Sequence, residues 1–186
     1  MEDIISFYLD SLVKSFVNIN RNEILKFVET IKNARHSGNT VFIIGNGGSA
    51  STASHFATDL GVGTLKVSKP VKAICLSDNA SILTAVSNDI NYNSIFTQQL
   101  SILANPNDLL VIISASGNSS NLVSAVEVSH SLGMKRFSMT GFDGGKIREL
   151  TFENNLHVPS QIGQYGLVED IHMAICHIIT ECIRKS

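Results

Sequence analysis

The sequence is poor in features that would assign it to a special class. It has only three cysteines, Cys75, Cys176 and Cys182, and they stand among apolar residues. An odd count in such surroundings predicts reduced thiols in the core rather than a disulfide framework, which favours the cytoplasm. The longest apolar runs, such as 109–113, are far below the ~20 residues of a membrane span. The acidic N-terminus does not resemble a secretory signal.

The sequence also has no large excess of positive or negative charge. The 186 residues include 14 Lys and Arg and 16 Asp and Glu, so the net charge is −2. Because the basic residues are scattered, the sequence predicts neither a nucleic-acid nor an anionic-membrane partner. A chain of this length and ordinary composition fits one compact domain that buries about 70% of its extended surface. We therefore expect a single domain over residues 1–186.

The hydrophobic pattern changes along the chain. Helical spacing of apolar residues through 4–16 and 24–31 predicts an N-terminal helical pair. From residue 40 onward, strands, small-residue loops and helices alternate, which predicts a doubly wound α/β fold with a five-stranded, mostly parallel sheet. The predicted strands are 40–44, 71–76, 109–113, 137–139 and 156–158, and the predicted helices from residue 80 onward are 81–87, 120–130, 146–150 and 167–184.

The first predicted strand runs into a glycine-rich turn, residues 45–49, with the sequence Gly-Asn-Gly-Gly-Ser. β-branched residues that end in glycines indicate a buried strand that turns sharply, and Ser49 is placed to cap the following helix. Backbone N–H groups in such a turn, together with a helix N-terminus, attract anions such as phosphate. The turn is thus a predicted phosphate cradle.

A second turn, residues 114–120, follows the strand at 109–113. Five of its seven side chains are hydroxyls or amides. Because ligands of open parallel sheets bind beyond the carboxyl ends of the strands, both turns should line the same edge. Neither turn contains Lys or Arg, so a phosphate there would depend on neutral donors and helix N-termini. Such binding suits a substrate that must be released.

Two other interpretations of these turns remain open at this point. Their Gly and Ser residues could serve only tight turns and helix caps. Gly45, Gly47 and Ala50 also match the G-x-G-x-x-A dinucleotide fingerprint. That fingerprint needs an acidic residue about 20 positions further on. The nearest candidate, Asp78, lies more than 30 residues from Gly45, which disfavours a dinucleotide.

Ionisable side chains concentrate in two helical segments. His55 and Asp59 are four residues apart, so they share one helix face as a candidate acid/base or metal pair. Glu169 and His177 lie in the apolar closing helix, about 80° and about 12 Å apart. They could serve one ligand only by leaning toward it, or could serve sites in different subunits, which predicts an oligomer. His172 either orients Glu169 or is a buried structural residue.

Taken together, these motifs resemble those of the SIS (sugar isomerase) domain proteins, specifically the phosphoheptose isomerase group. The resemblance extends over almost the whole chain. The residues that carry it are 45–49 with His55, Ser87-Asn88-Asp89, 114–119, 140–145, and 169–172 with His177. It implies a flavodoxin-like SIS fold and conversion of sedoheptulose 7-phosphate to D-glycero-D-manno-heptose 7-phosphate in heptose biosynthesis. It also implies a cytoplasmic homotetramer with active sites between subunits.

The resemblance assigns two groups of functional residues. Substrate contacts fall on Asn46, Gly47, Gly48, Ser49, Asn88, Asp89, Ser114, Ser116, Ser119 and Glu169. A metal site that overlaps the acid/base pair falls on His55, Asp59, Glu169 and His177. Two histidines and two carboxylates suit tetrahedral zinc, one ion per subunit.

Three positions depart from the family pattern. Asp59 stands where the family has glutamate, Glu169 where it has glutamine, and Ala115 where a hydroxyl residue is usual. An aldose–ketose isomerase removes a proton beside a carbonyl and stabilises an enediol(ate). We expect Asp59 or Glu169 to be the base and His177 the acid. Two alternatives are an isomerase of a pentose or hexose phosphate and a non-catalytic SIS regulator or adaptor that binds the replication initiator.

Overall fold

A computed structural model, which describes residues 1–67 and 69–186, confirms the doubly wound α/β architecture. The helices are α1 Glu2–Asn18, α2 Arg21–Ser37, α3 Gly48–Gly61, α4 Ala80–Asp89, α5 Ile95–Leu103, α6 Ser120–Ser131, α7 Gly145–Leu150 and α8 Tyr165–Arg184. The strands are β1 Thr40–Ile44, β2 Lys72–Cys75, β3 Leu109–Ser114, β4 Lys135–Thr140 and β5 Asn155–His157. Short 3₁₀ helices cover Val62–Thr64, Tyr92–Ser94 and Phe152–Asn154.

The strands form one parallel sheet in the order β2-β1-β3-β4-β5. At its centre Ile43 of β1 lies opposite Cys75 of β2 on one side and Val111 of β3 on the other. The strand order reverses between β1 and β3, and such a switch point is where doubly wound sheets bind ligands. The two turns singled out from the sequence follow these two strands.

Two hydrophobic cores cover the two faces of the sheet. On one face, α2, α3 and α8 pack against alternate strand residues, with Phe27, Phe56 and Phe137 among the fully buried side chains. On the other face, the core includes Phe42 of β1 and Phe96 of α5. Burial on both faces explains why β1 and β3 are continuous apolar runs rather than alternating ones.

Helix α5 was not predicted from the sequence. It has only nine residues, and no side chain caps its N-terminus, so both usual signals are weak. Tertiary contacts hold it instead: Ile95, Phe96 and Leu100 are buried. The buried Gln99 side chain donates to the carbonyl of Leu76 at 3.0 Å.

Two local predictions were wrong. Ser49 does not cap α3, because the helix begins one residue earlier, at Gly48, and its N-cap is Gly47, which has no side chain to donate or accept. Cys182 is not a core thiol: it is exposed, whereas Cys176 is buried and Cys75 half-buried. Its position near the end of α8 puts it on the outer face of that helix.

None of the residues of helix α1 is buried, whereas the other two helices of 17 or more residues, α2 and α8, bury five and nine. Large apolar side chains along α1 are exposed: Ile4, Ile5, Phe7, Leu9, Val13 and Val17. It contacts α8 through Tyr8, whose hydroxyl donates to the Asp170 carboxylate at 2.7 Å. Apart from this contact region, the apolar surface of α1 is open.

Over the described residues, no helix has both the length and the low polarity needed to cross a bilayer.

Candidate functional site

The two predicted turns form one cleft, of about 240 Å³, at the carboxyl edge of the sheet. We call this cleft the cradle. Eight of the ten substrate-contact residues expected from the sequence line it: Asn46, Gly47, Gly48, Ser49, Ser114, Ser116, Ser119 and Glu169. Ala115 and Tyr165 line it as well. The remaining two, Asn88 and Asp89, are exposed at the end of α4 and are not part of its lining.

Three helices start at the cradle. Gly48 begins α3, Ser119 precedes α6, and Tyr165 begins α8. The first N–H groups of a helix have no partner inside the helix and carry partial positive charge, so they attract an anion. No Lys or Arg is among the lining residues that the structure describes. The cradle is therefore suited to phosphate through backbone dipoles and hydroxyls.

The turn at 114–120 packs against a second turn, at residues 143–145. Gly117 has a positive φ of 64°, and a Cβ atom there would overlap the carbonyl of Gly144. The Gly117 carbonyl accepts from the N–H of Ile147 at 2.9 Å, and Asn118 Oδ1 accepts from the N–H of Lys146 at 3.0 Å. The Asp-Gly-Gly sequence at 143–145 and the residues that follow it thus fix the wall of the cradle.

The ionisable residues form a second group, which we call the His–Asp–His cluster: His55, Asp59 and His177. The Nε2 atoms of His55 and His177 are 3.1 Å apart. Asp59 Oδ2 lies 3.4 Å from His55 Nε2 and 3.9 Å from His177 Nε2. The side chains of both histidines are about half exposed, at 48% and 52%. A carboxylate and two imidazoles therefore meet at one accessible point.

Helices α3 and α8 position both groups because they run side by side in the same direction. At one end Gly48 lies so close to the Glu169 carboxylate that a Cβ atom would overlap it. Seven residues further along α3 and eight further along α8, His55 meets His177. At 1.5 Å per residue, the cluster is about 10 to 12 Å from this contact.

This spacing corrects one prediction. Glu169 was expected to join His55, Asp59 and His177 at one metal, but within a protomer it lines the cradle instead. His177 lies eight positions after Glu169, which separates them by about 12 Å along α8, a distance that their side chains do not bridge. Among the residues that the structure describes, the group suited to a metal is His55, Asp59 and His177.

The cluster fits a divalent metal such as zinc by its chemistry. Imidazole nitrogen and carboxylate oxygen are zinc ligands at about 2.0–2.2 Å, so tetrahedral ligands stand about 3.4 Å apart. The three ligand-atom separations, 3.1, 3.4 and 3.9 Å, bracket that value. Three protein ligands leave one position for a further ligand, as in catalytic zinc sites.

His172, on the same helix, is fully buried, which favours the structural interpretation. Both of its ring nitrogens lack a hydrogen-bond partner among the described residues. Burial lowers its pKa from 6.5 to about 4, because charging the ring in an apolar environment is costly. The ring is therefore neutral at physiological pH and faces the core rather than the cradle.

The sequence reasoning missed Tyr92 and Asn121. Both contact the Asn46 side chain, which lines the cradle. Asn121 is almost fully buried in the first turn of α6, where a polar side chain needs a partner, so its position was a usable signal. Tyr92 lies in a 3₁₀ helix between α4 and α5, and no sequence pattern pointed to it.

Comparisons with known proteins agree with this geometry. Residues 8–141 match the family model described as "SIS domain". A probable phosphoheptose isomerase of Thermoplasma acidophilum is 34% identical over 176 residues, which cover 95% of each chain. The phosphoheptose isomerase of Helicobacter pylori strain P12 is 38% identical over 178 residues, 95% of this chain and 88% of that one.

A solved structure of the same group of enzymes is similar over the whole chain. A phosphoheptose isomerase from Francisella tularensis superposes with a TM-score of 0.90 and 30% sequence identity. The superposition covers 99% of this chain and 98% of that one. The similarity therefore includes the N-terminal helical pair, the sheet and the closing helix, rather than only the segment that the family model matches.

Proposed function

Because this chain belongs to the SIS-domain family and, within it, to the phosphoheptose isomerases, we propose that it converts sedoheptulose 7-phosphate to D-glycero-D-manno-heptose 7-phosphate. In this proposal the whole chain is a single SIS domain. One observation carries the chemistry: α3 and α8 hold an anion cradle at one end and an accessible carboxylate–imidazole cluster about 10 to 12 Å further on.

The proposed reaction passes through an enediol(ate). Asp59 removes the proton from C1 of the ketose and returns it to C2, which yields the aldose. His177, 3.9 Å from the Asp59 carboxylate, protonates and deprotonates the sugar oxygens. Backbone N–H groups and hydroxyls of the cradle hold the phosphate and orient the chain of carbons. Glu169, the second candidate base, lines the cradle and is assigned to substrate binding there.

We propose that His55, Asp59 and His177 also hold one zinc ion per subunit. When bound, the metal would polarise the carbonyl and stabilise negative charge on the enediolate oxygen. The support is the donor set and its separations of 3.1 to 3.9 Å. With zinc held through the histidine Nε2 atoms, the metal would take over the stabilisation of the sugar oxygens from His177, and the second carboxylate oxygen of Asp59 would stay free to act as base.

We further propose a cytoplasmic homotetramer with active sites between subunits. The open apolar face of α1 supports assembly, since such a surface is rarely left in water. The distance between Glu169 and the His–Asp–His cluster supports shared sites: the cradle of one copy, which includes Glu169, would face the cluster of a neighbouring copy. The free thiols support the cytoplasmic location.

The activity is tested by incubating the protein with sedoheptulose 7-phosphate, with and without zinc, and following both sugars by NMR. Formation of the aldose by the wild type, and not by Asp59→Asn, supports the proposal. Turnover of a pentose or hexose phosphate but not of the heptulose would replace the substrate. No turnover of any sugar phosphate, with retained binding, would favour a regulatory or adaptor protein.

Shared sites are tested by mixing inactive subunits. Asp59→Asn and Glu169→Ala chains are denatured together and reassembled in equal amounts. If each site takes Asp59 and Glu169 from different copies, about a quarter of the sites contain both native residues and activity returns. If both residues come from one copy, the mixture stays inactive. Light scattering gives the number of subunits in the same sample.

A further inference from the structure

The Asn46 side chain is held by a hydrogen-bond network that joins three separate segments around the cradle. Asn46 Nδ2 donates to Asn121 Oδ1 at 2.9 Å, and Asn121 Nδ2 donates back to Asn46 Oδ1 at 2.9 Å. The Tyr92 hydroxyl donates to the same Asn46 oxygen at 3.0 Å. The turn after β1, the first turn of α6 and the 3₁₀ helix at 92–94 are thereby connected.

One backbone group sets the polarity of this network. The N–H of Leu122 is shared between the Ser119 carbonyl and Asn121 Oδ1, at 3.0 Å each. Because an N–H only donates, the Asn121 atom facing it must be the oxygen. The Asn121 NH₂ group therefore faces Asn46, the Asn46 atom opposite it must be an acceptor, and the Tyr92 hydroxyl must donate. If the Asn46 carboxamide were rotated by about 180°, its NH₂ group would face the NH₂ group of Asn121 and no hydrogen bond could form between them.

The consequence is a defined chemical property of Asn46. Its oxygen receives two donors, which use both lone pairs, and one of its two N–H bonds is directed at Asn121. A single N–H donor remains for a ligand. Asn46 can therefore bind a phosphoryl, hydroxyl or carbonyl oxygen of the sugar phosphate, but it cannot accept a hydrogen bond from it.

We propose that Tyr92 and Asn121 are positioning residues that lock Asn46 as a pure donor toward the substrate; this inference rests on the proposed function. Asn121 is only 1% exposed, so its orientation is fixed by packing. Tyr92 is 54% exposed, and its hydroxyl is the component that can be removed without disturbing the core. The 3₁₀ helix that carries Tyr92 begins three residues after Asp89, so the Tyr92 bond ties the segment that follows α4 to the cradle.

The kinetic test compares three variants. Tyr92→Phe removes one hydroxyl, and we expect KM to rise about 2- to 10-fold, as loss of one hydrogen bond allows, with kcat within about 2-fold. Asn121→Asp also removes a donor and adds negative charge, so its KM should rise further. Ser94→Ala is the matched control, since its hydroxyl donates to Asn91 within the same segment. Equal KM values for Tyr92→Phe and Ser94→Ala would overturn the proposal.

A second measurement does not depend on turnover. In protein with ¹⁵N-labelled asparagine, the Asn46 side-chain amide signals are identified by their loss in Asn46→Ala. They should shift in Tyr92→Phe, which keeps the ring, and stay unchanged in Ser94→Ala. An unshifted signal in Tyr92→Phe would show that the Tyr92 hydroxyl does not bind Asn46 and would contradict the proposal. A shifted signal without any isomerase activity in the wild type would reject the proposed function and leave the network standing.

Discussion

Helix α8 carries two histidines whose surroundings are opposite. His177 is about half exposed and meets His55 and Asp59, whereas His172, five residues earlier, is fully buried. The same side chain thus serves an accessible cluster on one face of the helix and the core on the other. Residue type alone does not distinguish these roles, because both histidines stand in the same apolar stretch. The neighbouring helix decides: α3 brings partners to His177 and none to His172.

The largest expected effect is a loss of turnover on changing the His–Asp–His cluster, which lies at the exposed face of α8. Asp59→Asn keeps the size of the side chain but removes the proposed base, so we expect kcat to fall about 10²- to 10⁴-fold. Binding of the sugar phosphate, measured by calorimetry, should change little. Asp170→Asn is the matched control, because Asp170 lies on α8 and pairs with Tyr8 outside the cluster. Near-native turnover of Asp59→Asn in a zinc-replete assay would remove Asp59 from the mechanism.

The next largest effect concerns His172, on the buried face of α8, and the pH dependence of stability. Burial lowers the pKa of His172 to about 4, below its unfolded value of 6.5. Between these two values the unfolded chain binds more protons, so the free energy of unfolding falls as the pH drops from about 6.5 to 4. His172 should contribute about 3 kcal/mol to this loss. Above pH 6.5 its contribution is constant.

Urea unfolding at a series of pH values checks this expectation. His172→Leu replaces an unpartnered buried ring with an apolar side chain, so the variant should lose less stability in acid than the wild type. Because other groups titrate in both proteins, the difference between the two curves isolates His172. Parallel curves from pH 7 to pH 4 would show that the buried ring does not titrate as expected.

Zinc should distinguish the two histidines directly. If the cluster holds zinc as proposed, zinc at 100 times its dissociation constant should stabilise the wild type by about 2.7 kcal/mol, because a ligand of the folded state alone shifts the unfolding equilibrium. Thermal unfolding should show the same zinc shift in His172→Leu and a much smaller one in His177→Ala. A full shift in His177→Ala would mean that zinc binds elsewhere.

The smallest effect concerns the contact between α8 and α1. The hydrogen bond to Asp170 raises the pKa of Tyr8 to about 12. In Asp170→Asn we expect the pKa of one tyrosine to fall toward its ordinary value of 10, because the charged acceptor is the largest cause of the increase. Ultraviolet absorbance at high pH measures this change, with Tyr8→Phe to identify the signal. Tyr8→Phe itself should cost no more than about 1 kcal/mol, because the pair is partly exposed.

Local patterns were sufficient for most of the fold. The bounds of β1 were predicted without error, because a β-branched run between a polar residue and a glycine turn has few alternatives. Strand β4 was predicted too short, since Lys135 and Arg136 at its start are not apolar, although they pair with Leu109 and Leu110. Those pairings are long-range, and no local rule contains them.

The site was predictable only in part, for the same reason. The cradle residues follow strands in glycine- and serine-rich turns, so their edge of the sheet could be inferred. The meeting of His55 with His177 depends on how α3 and α8 pack, and these helices are more than 100 residues apart in the chain. Tyr92 and Asn121 were missed because their role exists only through Asn46.

The three helix N-termini around the cradle have a consequence for how the enzyme would respond to acidity. Positive potential that comes from peptide dipoles carries no removable proton, unlike that of lysine or histidine. Affinity for the phosphoryl group should therefore follow the ligand's own second ionisation, near pH 6, because no basic side chain lines the described part of the cradle. Binding of the phosphate would then depend on pH through the ionisation of the sugar phosphate and not through loss of positive charge from the protein.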